Sequence, residues 1–250
     1  MNFGKYIAHR GLHNKNKDMP ENSLKAFEEA CKKEVAIELD VRLTKDGRVV
    51  VFHDDSLKRM CGVEACVSDF TYDQLCAFRL KDTNEKIPLF SQVLKLVKGR
   101  VPLLIELKDS IGLFDLEKRT WHLLKNYKGD FAVQSFNPIS LLWFRLFAPQ
   151  VERGQLISKF KGNNHKQYIM RLVCANPLVW KLISKPSFVA CDLRSVSLET
   201  AFQAVDNNAD FITWTANSPE LLESAKQFSK SVIGENFPDD FDFSDGSDEN

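Results

Sequence analysis

The chain has 250 residues, 34 basic and 34 acidic side chains, and a formal net charge of zero. With 44% hydrophobic and 27% charged residues it has the composition of a globular protein, and it is long enough for one large core. The balanced charge argues against nucleic acid binding by overall basicity, and no apolar run reaches the roughly 18 residues of a membrane span.

The first strand is expected at residues 6–9. The chain enters it without a basic and apolar leader, so a cytoplasmic location is expected. A helix follows, capped by Asn22 or Ser23, with Leu24, Phe27, Ala30 and Cys31 on one face. The second strand is expected at 36–41. A further strand-like run, 49–52, follows too soon for a parallel crossover, which needs about a dozen residues or more. The pair must be a hairpin turning at Asp46-Gly47, which carries His53-Asp54 back towards Glu38 and Asp40. Residues 55–88 then form a small insertion with a helix near 71–78.

Beyond it, a helix carries Leu94 and Val97, and strands are expected at 103–107, 131–135, 153–157, 188–191, 211–215 and 232–234. A helix at 219–228 is expected to bury Leu222, Ala225 and Phe228. Eight strands alternating with helices fit a closed (β/α)8 TIM barrel over residues 1–238, with the hairpin and the insertion after the second strand. Residues 239–250 read as an acidic, disordered tail. The six cysteines show no CxxC spacing and read as free thiols.

Charges interrupt three of these apolar strands. Strand side chains alternate between faces, so Glu38 and Asp40 share one side, opposite Ile37, Leu39 and Val41. Glu106 and Lys108 likewise lie opposite Ile105 and Leu107. A facing row of buried carboxylates calls for a cation. In such a barrel His9, Arg10, Glu38, Asp40, Glu106 and Lys108 converge on the mouth at the C-terminal strand ends, and the hairpin adds His53. Three carboxylates supply hard oxygen ligands, which suit one divalent cation, Mg²⁺ or Ca²⁺, rather than zinc. Two histidines offer a base and an acid near neutral pH. Arg10 and Lys108 supply charge for an anion, and amides of the first helix could add to it. Together these describe metal-assisted phosphodiester cleavage.

The ordered set Ala8-His9-Arg10-Gly11, Pro20-Glu21-Asn22-Ser23, Ile37-Glu38-Leu39-Asp40-Val41, Thr44-Lys45-Asp46-Gly47 and Val51-Phe52-His53-Asp54 resembles the glycerophosphodiester phosphodiesterase family. Ile105-Glu106-Leu107-Lys108, Gln134-Ser135-Phe136 and Trp214-Thr215-Ala216-Asn217 continue the match. The resemblance implies an acid–base pair in His9 and His53, metal ligands in Glu38, Asp40 and Glu106, and phosphate contacts in Arg10 and Lys108. It also implies that Glu21 and Asn22 brace the first loop and line the site, and that Trp214 walls the alcohol. The implied substrate is a small glycerophosphodiester, split by water to glycerol 3-phosphate and an alcohol. A lysophospholipase D is the alternative, and a non-catalytic phosphodiester-binding protein a more distant one. The sequence sets no oligomeric state.

One feature lies outside this set. Residues 158–187 hold five lysines, one arginine and no acid, interleaved with apolar side chains. The plain reading is two amphipathic helices broken at Asn176-Pro177. The sharper one is a weak contact with an anionic membrane surface.

Overall fold

The computed structural model describes residues 1–108, 112–158, 176–206, 208–238 and 240–244. Eight parallel strands with helices between them make a closed (β/α)8 barrel, to which a hairpin adds one antiparallel strand. The chain divides into two compact units, Ala8–Asp130 and Met1–Ile7 with Phe131–Asn250.

In the first unit, α1 (Leu24–Lys32) is capped by Ser23, whose Oγ accepts from the Ala26 N–H at 3.1 Å. Such a cap contributes about 1 kcal/mol. The helix buries Ala26, Phe27, Ala30 and Cys31, while Leu24 is only half-buried. Gly11 has φ of +81°, and a Cβ there would lie 3.0 Å from the Ala26 carbonyl carbon and from the Phe27 ring. The loop before α1 can therefore press against the helix only with glycine at that position.

Strand β2 (Ala36–Leu43) runs parallel to β4 (Leu103–Leu107) and antiparallel to β3 (Val49–Val51). The expected hairpin is present: the Gly47 N–H donates to the Thr44 carbonyl at 2.9 Å and the Thr44 N–H to the Arg48 carbonyl at 3.0 Å. The side chains alternating with the β2 acids, Ile37, Leu39 and Val41, are fully buried.

After the hairpin come two single-turn helices, α2 (Lys58–Cys61) and α3 (Tyr72–Leu75). The helix expected at 71–78 is shorter, because the chain leaves it at Cys76. Their apolar residues, with Val50, Phe52, Val67, Leu80 and Ile87, form one buried cluster. Helices α4 (Phe90–Val97) and α5 (Asp115–Leu124) complete the unit.

In the second unit, strands β5 (Phe131–Ser135), β6 (Glu152–Ile157), β7 (Phe188–Asp192), β8 (Asp210–Ala216) and β9 (Ser231–Gly234) pair in that order, all parallel. Between them lie α6 (Pro138–Phe147), a helical segment from Pro177 to Ser184, α7 (Leu198–Asp206) and α8 (Pro219–Lys226). Leu222 and Ala225 are buried as expected, but Phe228 is 45% exposed because α8 ends before it. Phe241 and Phe243, within the stretch read as a tail, pack edge-on against Tyr6 of β1 (Tyr6–Ala8) at 5.0 and 6.5 Å between ring centroids. Residues 239 and 245–250 lie outside the described residues.

Candidate active site

Eight of the residues singled out from the sequence lie together in the unit Ala8–Asp130, with His9 directly before Arg10. Asp40 and Glu106 are register partners on β2 and β4, so their side chains stand side by side, and Glu38 is one step back along the same face of β2. The carboxylate oxygens of Glu38, Asp40 and Glu106 lie within 4.8 Å of one another, and all three residues are buried.

Two cations face this group. Lys108 Nζ is 2.8 Å from Asp40 Oδ1 and 2.5 Å from Glu106 Oε1. Arg10 donates its backbone N–H to Glu38 Oε2 at 3.0 Å and places Nε 3.5 Å from Asp40 Oδ2. Among the described residues these three acids face two bases, one of which, Arg10, is shared with Glu21, so negative charge is in excess in a buried place. The strain falls on Glu38: burial, then the neighbouring Asp40 and Glu106 carboxylates, push its pKa well above the usual carboxylate range. Burial acts on Asp40 too, but Lys108, His53 and Arg10 hold it well below that range. A compact set of hard oxygen donors with excess negative charge fits a divalent cation, and these three residues could hold one.

Around the acids the first loop is tied down. Asn22, at φ of +57°, donates from its side-chain amide to Asp40 Oδ2 at 2.8 Å and from its backbone N–H to the Arg10 carbonyl at 2.9 Å. It is therefore Ser23 that caps α1. Glu21 accepts from Arg10 Nη1 at 2.6 Å and takes Arg59 on both oxygens. Burial would raise its pKa; the Arg59 hydrogen bonds and the charges of Arg10 and Arg59 bring it down to about 2.

The phosphate-holding amides expected at α1 are partly committed elsewhere. The Ala26 N–H goes to Ser23, and the Lys25 N–H donates to Glu85 of the insertion at 3.4 Å.

His53 sits just beyond β3. Its carbonyl accepts from Arg42 Nε and Nη2 at 3.0 and 2.9 Å, and its ring Nδ1 lies 2.6 Å from Asp54 Oδ1. Asp54 is held below the usual carboxylate range: burial opposes this, and hydrogen bonds with His53 and Arg59 overcome it. An ionised Asp54 can only accept, so His53 Nδ1 carries a proton and Nε2 is the ring nitrogen left to face other groups.

Asp54 and Arg59 were not singled out from the sequence. Asp54 could have been, as the carboxylate directly after a candidate base. Arg59 has no sequence signal that separates it from a surface arginine. Trp214 belongs to the other unit, where its Nε1 donates to the Ala190 carbonyl at 3.0 Å and its ring packs edge-on against Phe136 at 5.7 Å.

The sequence profile of the glycerophosphoryl diester phosphodiesterase family matches residues 9–239. This chain belongs to that family. A glycerophosphodiester phosphodiesterase of Caldanaerobacter subterraneus subsp. tengcongensis is 35% identical over 161 residues, a match covering 60% of this chain and 65% of the relative. The chain thus spans just under two thirds of that relative's length. Human lysophospholipase D is 32% identical over 138 residues, 50% of this chain and 42% of the human protein. Among solved structures, an Oleispira antarctica phosphodiesterase in complex with the product sn-glycerol-3-phosphate superposes with a TM-score of 0.75 at 20% identity, covering 93% of both chains. That likeness establishes the barrel of this family member.

Proposed function

We propose that this protein hydrolyses glycerophosphodiesters to glycerol 3-phosphate and an alcohol. The observation that carries the reading is the buried trio Glu38, Asp40 and Glu106, with Arg10, Lys108 and His53 around it, in a chain of this family.

Glu38, Asp40 and Glu106 would hold one Mg²⁺ or Ca²⁺ ion. When bound, such an ion supplies positive charge for a phosphate oxygen and lowers the pKa of a nearby hydroxyl. Arg10 and Lys108 bind the phosphate and offset the charge it gains in the transition state. His53 Nε2 takes the proton of the attacking hydroxyl, either water or the glycerol 2-hydroxyl. Asp54 on Nδ1 holds the tautomer and steadies the imidazolium that forms. His9 returns a proton to the departing alkoxide. Glu21 and Asn22 keep Arg10 and Asp40 in place, and Trp214 offers an apolar wall to the alcohol. Among the described residues Cys31, Cys61, Cys66 and Cys76 form no disulfide, which suits a reducing compartment, the cytoplasm.

The direct test is release of glycerol 3-phosphate from glycerophosphocholine with Mg²⁺, with Ca²⁺ and with a chelator. Metal-dependent release is expected; no release with either ion would overturn the reading. The human relative favours lysophospholipids as a second substrate class. Release of choline from lysophosphatidylcholine at a higher kcat/KM than from glycerophosphocholine would make that class the main one.

A weak contact with an anionic bilayer is also proposed. Of the stretch 158–187, residues 159–175 lie outside the described residues. In the remainder Leu178 and Leu182 are 63% and 69% exposed beside exposed Lys181 and Lys185. Arg145 of α6 donates to the Leu182 and Ile183 carbonyls, which brings exposed Leu146 and Phe147 to the same surface. Residues 137–150 and 176–187 contain no acid. A two-fold dimer through this face would set like charges together, whereas an anionic lipid surface complements them. The protein is expected to sediment with phosphatidylglycerol-containing vesicles at low salt and not with pure phosphatidylcholine, and Leu182→Asp to lose the binding. Equal sedimentation with both lipids, or none, would refute the contact.

A further inference from the structure

We propose that Arg59 is a positioning residue of this reaction, a clamp supplied by the insertion that fixes His53 and Arg10 relative to each other. The proposal rests on the phosphodiesterase reading and deepens it.

The guanidinium uses two edges. Nε and Nη2 reach Asp54 Oδ2 and Oδ1 at 2.6 and 3.1 Å. Nη1 and Nη2 reach Glu21 Oε2 and Oε1 at 2.8 and 2.7 Å. Each carboxylate is thus held in a two-point fork, the strong and directional form of arginine recognition. Each also has a second partner in the site: Asp54 Oδ1 meets His53 Nδ1 at 2.6 Å, and Glu21 Oε1 accepts from Arg10 Nη1 at 2.6 Å. The chain of contacts therefore runs from the proposed base, through Asp54, Arg59 and Glu21, to the proposed phosphate ligand.

Arg59 reaches no reacting group itself, and its side chain is 41% exposed. Its place comes from the insertion. It lies on the single turn α2, between Leu57 and Met60, and both of those are sunk in the apolar cluster with Val67, Leu75 and Leu80. This gives the insertion a role in the chemistry: its small core holds one arginine at a fixed height over the site. Lysine would not replace it, because an ammonium has no planar fork to serve two carboxylates at once.

The test uses Arg59→Ala and, should that variant fold poorly, Arg59→Gln, both with Mg²⁺ added and both checked by thermal melting. With glycerophosphocholine, kcat/KM is expected to fall about 10–100-fold, as for other groups that orient a working side chain. The loss should split: kcat falls through His53 and KM rises through Arg10. In a His53→Ala background, Arg59→Ala should lower kcat no further, since its route to kcat is gone. Added guanidinium ion should restore part of the Arg59→Ala loss and none of the His53→Ala loss. Independently of turnover, ¹⁵N spectra of labelled histidine should show His53 protonated at Nδ1 in the wild type and a mixture of tautomers in the variants.

Unchanged kcat, KM and tautomer in a folded Arg59 variant would overturn the clamp, as would a kcat loss undiminished in the His53→Ala background. If the wild type cleaves no glycerophosphodiester with any metal, the phosphodiesterase reading fails. The tautomer measurement then decides the clamp by itself.

Discussion

Glu38→Gln is expected to lower kcat/KM by roughly 10³-fold while making the metal-free protein more stable. The two effects have one cause. Glu38 is buried beside Asp40 and Glu106, and its pKa lies well above the usual range. The folded chain therefore binds this proton more tightly than the unfolded chain does. Its ionisation costs stability, a cost absent below the unfolded carboxylate pKa of about 4.3 and growing as pH rises through the folded value. Glutamine removes that cost, yet its amide oxygen can still accept from the Arg10 N–H. Asp40 runs the other way. Its folded pKa is depressed, so its stabilisation is present above about 3.9 and is lost as pH falls through the folded value. Melting curves of chelator-treated protein should place Glu38→Gln above wild type at pH 7, with the gap closing as pH falls towards 4. A variant that melts below wild type at pH 7 would show that Glu38 is not the residue carrying the excess charge. Calorimetric titration with Mg²⁺ or Ca²⁺ should show weaker binding to the variant, since a neutral amide is the poorer ligand for a hard cation.

Loss of either histidine should also be severe, and the two losses should differ in kind. His53→Ala and His9→Ala are each expected to reduce kcat on glycerophosphocholine by roughly 10²–10⁴-fold with the fold intact. Choline leaves as a poor alkoxide and needs a proton. A nitrophenolate leaves without one. With a p-nitrophenyl ester of glycerol phosphate, the His9→Ala deficit should largely disappear, because His9 is the proposed acid. The His53→Ala deficit should persist, because the proposed base acts on the attacking hydroxyl whatever the leaving group. The proposed assignment of His53 rests on Asp54, whose carboxylate lies 2.6 Å from Nδ1 and orients the ring. The opposite pattern of rescue would exchange the two roles.

How much of this could be read from the chain depends on how far apart the interacting residues are. The hairpin was legible because only a two-strand turn fits between residues 43 and 49, and Asp46-Gly47 has the required chemistry. The acidic trio was legible because alternation along β2 and β4 is a local rule: it places Glu38 and Asp40 on one face without reference to anything distant. Helix ends were less clear. Both Asn22 and Ser23 can cap a helix; the choice fell to Ser23 because Asn22 is engaged by Asp40, 18 residues away.

The sequence by itself determined the alternation of strands and helices, the hairpin and the acid-lined strand face, since each follows from periodicity or spacing over a few residues. Tertiary structure alone decided the partners. Arg59 meets Glu21 across 38 positions, and Glu85 takes the Lys25 amide across 60. Phe241 and Phe243, in a stretch whose composition reads as a solvated tail, find Tyr6 at the other end of the chain. The physical reason is that a hydrogen bond or a ring contact forms wherever folding brings complementary groups within a few ångströms. The pattern of apolar residues decides which way a side chain faces, and the packed fold decides what it meets there.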